Sequence, residues 1–209
     1  MSISSYSELK TAVANWLDRD DLTERVPEFI ALGEARINRR LRVRGIVQRM
    51  YTSLVSGQAY YALPSDFIEC RNVQINSNPV NVLSYRTPEQ LDTEYPNQTS
   101  TSTPKVFTII GPEIQLAPTP SSTNTLEITY FQRLSPLSTG NPTNWLTSNA
   151  PDLLLYGALI EAEAYLVNDP RIQLWKAAFD ESMNEWNLQE EKGRFSGSSS
   201  IQRIDGGTP

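Results

Sequence analysis

The sequence predicts an α+β chain: a four-helix unit built from the N- and C-terminal segments, with an antiparallel β-sandwich or small barrel inserted between them. Three observations carry this. Apolar residues recur at helical spacing at both ends, and residues 46–149 break into short alternating and β-branched runs separated by turn residues. Neither terminal pair of helices buries enough surface to hold a core alone, so the two pairs are expected to pack together. The expected divisions are 1–45 for the first helical pair, 46–149 for the β domain, 150–192 for the second pair and 193–209 for a flexible tail.

The first helix opens with Ser5 three residues before Glu8, the spacing of a capping box, and carries Leu9, Val13, Trp16 and Leu17 on one stripe. The run Asp18 to Asp21 ends it. A second helix begins between Asp21 and Pro27, since proline suits a first turn, and aligns Ile30, Gly33, Ile37 and Leu41, with Gly45 as the expected stop. Gly33 reads either as a point of close approach by another helix or as a tolerated surface glycine.

Seven strands are expected next: 47–55, 60–63, 67–75, 80–85, 106–110, 114–117 and 126–131. Ser56-Gly57-Gln58 and Gly111-Pro112 read as hairpin turns. Pro88 to Tyr95 reads as a short helical turn capped by Thr87, and 97–103 as a polar surface loop. The third helix starts near Pro151. Its Leu153, Leu154, Leu155, Ala158, Leu159, Ala162, Tyr165 and Leu166 leave almost no polar face, which places it inside a bundle. Asp169-Pro170 starts the last helix, whose inner face is Ile172, Trp175, Phe179, Met183 and Trp186, with Asp180, Glu181, Glu185, Glu190 and Glu191 outward. Beyond Lys192 the chain is mostly Gly, Ser and Thr, too poor in apolar residues to offset an ordering entropy of roughly 1–2 kcal/mol per residue.

Composition then limits the chemistry. The 209 residues include no histidine and one cysteine, Cys70, which excludes within one chain Ser-His-Asp and Cys-His catalysis, histidine metal sites and an intrachain disulfide. Neither a Walker-type nor a dinucleotide-binding glycine loop is present, so no cofactor is expected. Glu161 with Glu163, or Asp66 with Glu69, offer carboxylate pairs, but residues two apart on a helix face different ways. Cys70 in an apolar strand reads as a small buried hydrophobe. The N-terminus lacks the pattern of a secretory signal, and the apolar stretch 153–167, with two glutamates, is too short to span a bilayer; a soluble chain without membrane contact is expected.

Charge is unevenly distributed. Arg36, Arg39, Arg40, Arg42, Arg44 and Arg49, offset by Glu34, leave that stretch at +5 within a chain of net −6, so the remainder carries −11. Such asymmetry points to a partner: a phosphate backbone, a complementary protein surface such as a neighbouring copy's acidic last helix, or nearby glutamates of the same chain. Tyr60, Tyr61 and Trp145, at expected strand ends, are the residues that a carbohydrate-binding or host-recognition module would use.

Three strings carry a resemblance: PEFIALGEARINRRL at 27–41, YALPSDFIE at 61–69, and Asn144-Trp145-Leu146 followed by APDLLLYGAL at 150–159. Occurring together and in this order, they resemble the head-to-tail adaptor proteins of tailed bacteriophages, the ring component under the portal that is related to tail tubular protein A. The resemblance implies a helical bundle with an inserted β domain, assembled in the host cytoplasm into a ring of twelve copies. It implies a non-enzymatic place at the virion neck, between portal protein and tail or nozzle protein, around a channel that brings DNA close. It further implies a C-terminal segment that docks on the portal. The contact candidates are Arg36, Arg39, Arg40, Arg42 and Arg44 on the second helix, and Arg194, Ile201, Arg203 and Ile204 in the tail.

Overall fold

A computed structural model of the chain describes residues 3–97, 99–166 and 169–194. Six α-helices are present among them: α1 (Tyr6–Leu17), α2 (Val26–Arg40), α3 (Pro88–Glu94), α4 (Trp145–Asn149), α5 (Pro151–Glu161) and α6 (Arg171–Arg194). The ten strands are β1 (Val47–Ser53), β2 (Tyr60–Ala62), β3 (Phe67–Asn76), β4 (Asn81–Val82), β5 (Ser84–Tyr85), β6 (Thr101–Ser102), β7 (Val106–Ile110), β8 (Glu113–Ala117), β9 (Thr119–Pro120) and β10 (Thr125–Gln132). The fold is mixed α+β. It divides into two compact units, one of Met1–Gly45 with Leu134–Pro209 and one of Ile46–Arg133.

In the first unit α5 is the central element, in contact with α1, α2, α4 and α6. Its Leu153, Leu154, Leu155, Gly157, Ala158, Leu159 and Ile160 are all buried, as a helix apolar around its circumference requires. Gly33 resolves in favour of close approach. A Cβ there would lie 2.8 Å from the Gly157 carbonyl carbon and 2.9 Å from the Ala158 nitrogen, so α2 and α5 meet backbone to backbone.

The ends of these helices follow local chemistry. Ser5 Oγ accepts from the Glu8 amide at 3.3 Å, but the return arm of the capping box is displaced by one residue: the Glu8 carboxylate takes the Ser4 amide and hydroxyl, both at 2.7 Å. Asp18, at φ 53°, turns the chain out of α1. Helix α2 ends at Arg40, five residues before the expected stop at Gly45, because Leu41 adopts extended backbone and the departing chain buries Leu41 and Val43. The Arg42 guanidinium then donates to the Leu41 and Asn38 carbonyls at 2.8 and 3.2 Å, satisfying groups that a helix end leaves open.

Residues 134–149, read from the sequence as the end of the β domain, pack with the helices instead. Leu134, Leu137 and Leu146 are buried there, and the Leu134 amide donates to Asn38 Oδ1 at 3.0 Å. Within this stretch α4 was not anticipated. Asn144 caps it by accepting from the Leu146 and Thr147 amides at 3.0 and 3.3 Å, while the Thr147 hydroxyl accepts from the Asn144 amide.

The second unit is a sandwich. One sheet has the order β1-β10-β3-β4, the other β2-β8-β7-β5, and their facing side chains form one core that includes Tyr61, Val73, Ile75, Phe107, Ile114, Leu116, Leu126 and Ile128. Four details depart from expectation. The run 80–85 divides at buried Leu83, so that β4 pairs with β3 and β5 with β7, in different sheets. The β5–β7 and β6–β9 pairs are parallel, and the last pair is new. Ser56-Gly57-Gln58 joins strands of different sheets and is therefore a corner, not a hairpin. By contrast Gly111-Pro112 does close the β7–β8 hairpin, with Gly111 at φ 61°, a conformation costly for other residues. Thr87 and Gln90 form the capping box of α3, which sets Leu91 against Val106 and Ala117, on the face of β7 opposite Phe107.

The α2–α5 contact has a direct consequence for stability. Gly33→Ala is expected to lower the unfolding free energy by about 1–3 kcal/mol through overpacking, read as a lower urea midpoint. Gly140→Ala, where nothing lies within 4 Å of the added carbon, serves as the matched control and should shift little.

Candidate interaction surfaces

The arginine row of α2 is mostly occupied within the chain. Arg36 Nε and Nη2 both lie 2.6 Å from Glu161 Oε1 on α5, and Arg40 Nη1 lies 2.6 Å from Asp180 Oδ1 on α6, with its guanidinium over the Phe179 ring. Arg44 donates from its backbone amide and its Nε to Glu190 Oε2, at 2.8 and 3.1 Å. Asn187 accepts from the Arg42 amide at 3.0 Å and donates to the Arg40 carbonyl at 3.2 Å. In the second unit Arg49 pairs with Glu127 at 3.6 Å. The acids of α6 expected to meet a neighbour's basic helix are thus in part already paired with this chain's own. Exposed pairs of this kind contribute about 0–1 kcal/mol each, so they follow the packing of α2 along α6 rather than set it. Arg39 is different: it is exposed and, among the described residues, has no charged partner, as is true of Glu181 and Glu185 on α6.

The last turns of α6 are held by close packing as well as charge. The Trp145 and Trp186 rings meet edge to face at 5.3 Å, and a Cβ on Gly45 would fall 2.0 Å from Trp145 Nε1. Gly193 lies under the Arg44 guanidinium, 2.7 Å from Nη2 to the position of a Cβ. Arg194 is the last residue of α6; its side chain, and Ile201, Arg203 and Ile204, lie outside the described residues.

Glu34, counted in the sequence only as an offset to the arginines, is a buried carboxylate, 4% exposed. Both oxygens accept from the Leu137 amide at 3.1 Å, and Oε1 also accepts from Asn144 Nδ2 at 3.1 Å. With Asn38 one turn further on, α2 therefore grips residues 134–144. Burial pushes the Glu34 carboxyl above the usual carboxylate range, against the lowering effect of the Leu137 and Asn144 hydrogen bonds.

The second unit offers a groove of about 590 Å³ lined by Phe67, Cys70, Leu83, Tyr85, Phe107 and Ile109 among others. Burial pushes the Cys70 thiol up to about 11, so it stays protonated near neutrality. Of the aromatics considered for sugar stacking, Tyr61 is buried with its hydroxyl accepting from the Val55 amide, and Trp145 is in α4 against Trp186. Only Tyr60, 44% exposed, presents its ring. Of the carboxylate pairs, Glu161 is bound to Arg36, and Asp66 accepts from the Tyr130 hydroxyl at 3.1 Å. Among the described residues no group of three or more His, Cys, Asp or Glu side chains is placed to hold a metal ion, and no helix is long and apolar enough to cross a membrane.

The raised carboxyl of Glu34 sets a pH dependence. A folded-state value above the unfolded one contributes stability that is present below the unfolded value and lost as pH rises through the folded one. The stability of the native chain relative to Glu34→Gln should therefore fall as pH rises above the ordinary glutamate value of 4.5, in paired urea titrations. Glu34→Ala should cost about 1–3 kcal/mol more than Gln, because the Leu137 amide loses its acceptor.

No curated protein sequence matches the chain significantly. The family described as SU10 adaptor protein does match, over residues 4–202, which spans both units and almost the whole length. The chain therefore belongs to the SU10 adaptor protein family, phage head-to-tail adaptors that are structural components of the virion neck.

Proposed function

We propose that the chain is one subunit of a twelve-copy ring that joins the portal protein to the tail or nozzle protein at the virion neck and surrounds the DNA channel, without catalytic turnover. The observation that carries this reading is a family match that covers both units and continues past the end of α6 to residue 202. In keeping with a scaffold, Arg36, Arg40 and Arg44 are taken up in ion pairs with Glu161, Asp180 and Glu190, and Trp145 and Trp186 in packing against each other. In this reading assembly takes place in the host cytoplasm, and the C-terminal segment, with Arg194, Ile201, Arg203 and Ile204, is the part that docks on the portal. The support for that role is its composition and its point of departure. It leaves from a helix end fixed by Arg44, Asn187 and Trp186, so a docking segment would start from a firm anchor.

Electron microscopy of the chain incubated with and without purified portal rings tests the reading. Twelve-fold rings under the portal are expected; a chain that stays unbound would overturn it. Truncation after Arg194 is expected to leave the thermal unfolding profile unchanged and to reduce portal attachment. Attachment at the native level would show that the segment is not the docking part.

A further inference from the structure

We infer that the outward face of α2 on one copy docks against the outward face of α6 on the next, with Leu32 meeting an exposed leucine of α6 and Arg39 meeting Glu181. The inference rests on the ring reading above and names the surfaces that would form it.

Each helix turns one face to its own core and leaves the other without a partner. On α2 the inner face is Phe29, Ile30, Gly33 and Ile37, and the opposite face holds Leu32, 53% exposed, and Arg39. On α6 the inner face is Ile172, Trp175, Phe179 and Met183, and the opposite face holds Leu174, 69% exposed, Glu181, Glu185 and Leu188, 52% exposed. Single exposed leucines need no explanation. What these add is spacing. Leu32 and Arg39 are seven residues apart, two helical turns or about 10.5 Å. Leu174 and Glu181 are separated by the same step, and so are Glu181 and Leu188. Whichever way the two helices run, seating Leu32 on a leucine of α6 brings Arg39 to Glu181, with Glu185 one turn away.

Charge selects the occupant. The other arginines of the α2 row are taken up inside the chain, by Glu161, Asp180, Glu190 or backbone carbonyls, whereas Arg39 and the Glu181–Glu185 pair have no charged partner among the described residues. A basic residue and an acidic pair left over on two separate faces of one chain complement each other only across copies. Because the two faces are different surfaces of the same unit, the contact is heterologous, the kind that closes into a ring when the rotation permits. Ala31 and Ala35 beside Leu32, and Ala177 beside Leu174, are exposed and leave room for the approach.

The test uses the full chain, with ring yield counted by native mass spectrometry and microscopy, free and with portal rings. Arg39→Glu, and separately Glu181→Arg, should each cut ring yield about tenfold, since like charges would face each other across the contact. The two changes in one chain should restore the yield, because every contact then carries the reversed pair. Leu32→Ser should lower it without any effect on charge. All three positions are exposed, so circular dichroism and thermal unfolding should be unchanged. Rings formed at the native level by both single charge variants, or no recovery in the double variant, overturn the inference while the ring reading stands. Variants that ring normally but no longer attach to portals would place this surface against the portal and likewise overturn it. If the native chain forms no ring under the portal, the ring reading fails and this contact fails with it.

Discussion

The helical unit depends on one contact between two glycines. Gly33 and Gly157 let the backbones of α2 and α5 touch, and the Phe179 ring of α6 then settles on Gly157, where a Cβ would stand 3.4 Å away. Three helices converge on that spot. Helices usually pack at 8–10 Å between axes, the distance being set by the side chains at the contact; with none here, Arg36 comes within reach of Glu161 and Arg40 of Asp180. The ion pairs follow from the packing, and the order of dependence does not reverse. Loss of a surface pair leaves the helices in place, whereas a methyl group at Gly33 has nowhere to go but into backbone.

That hierarchy changes what the charge asymmetry means. A stretch at +5 within an acidic chain invites a phosphate or an acidic partner, yet most of the excess is met by Glu161, Asp180 and Glu190 of the same chain. Counting charges along a sequence cannot separate charge that is satisfied inside a fold from charge that is offered outside it. Only the angular position of each residue on its helix does so: Arg36 and Arg40 lie along the seams, Arg39 on the far side.

Much of the architecture was legible because it rests on local signals. The caps at Ser5 and Thr87, the turn at Gly111-Pro112 and the apolar circumference of α5 follow from residues a few positions apart, and all are found where those residues put them. What escaped depends on contacts distant in sequence. Leu41 leaves α2 to be buried rather than continue to Gly45, and Gly45 serves instead as a seat for the Trp145 indole, a hundred residues away. Trp145 reads in the sequence as a strand end, whereas the Asn144–Thr147 reciprocal cap, outside the familiar Ser/Thr-x-x-Glu form, starts a helix. Leu83 divides a single apolar run between two sheets, which periodicity alone does not reveal. Among the contact residues, Arg36, Arg40, Arg42 and Arg44 were legible as a group, with pairing to glutamates of the same chain only one of three alternatives, and Glu34 carried no signal that would mark it as buried.

The clasp at the end of α6 has a mechanical side. Arg40 with Asp180, Asn187 with the backbone at residues 40 and 42, and Arg44 with Glu190 are spaced along α2 and its extension in the same direction as their partners along α6. Tension applied to the chain beyond Arg194 along the helix axis loads these bonds in shear, sharing the force among them at once. Tension across the axis would open them one at a time, beginning with Gly193 under Arg44. The first geometry lets the bundle yield as a block or not at all; the second lets it open from its end.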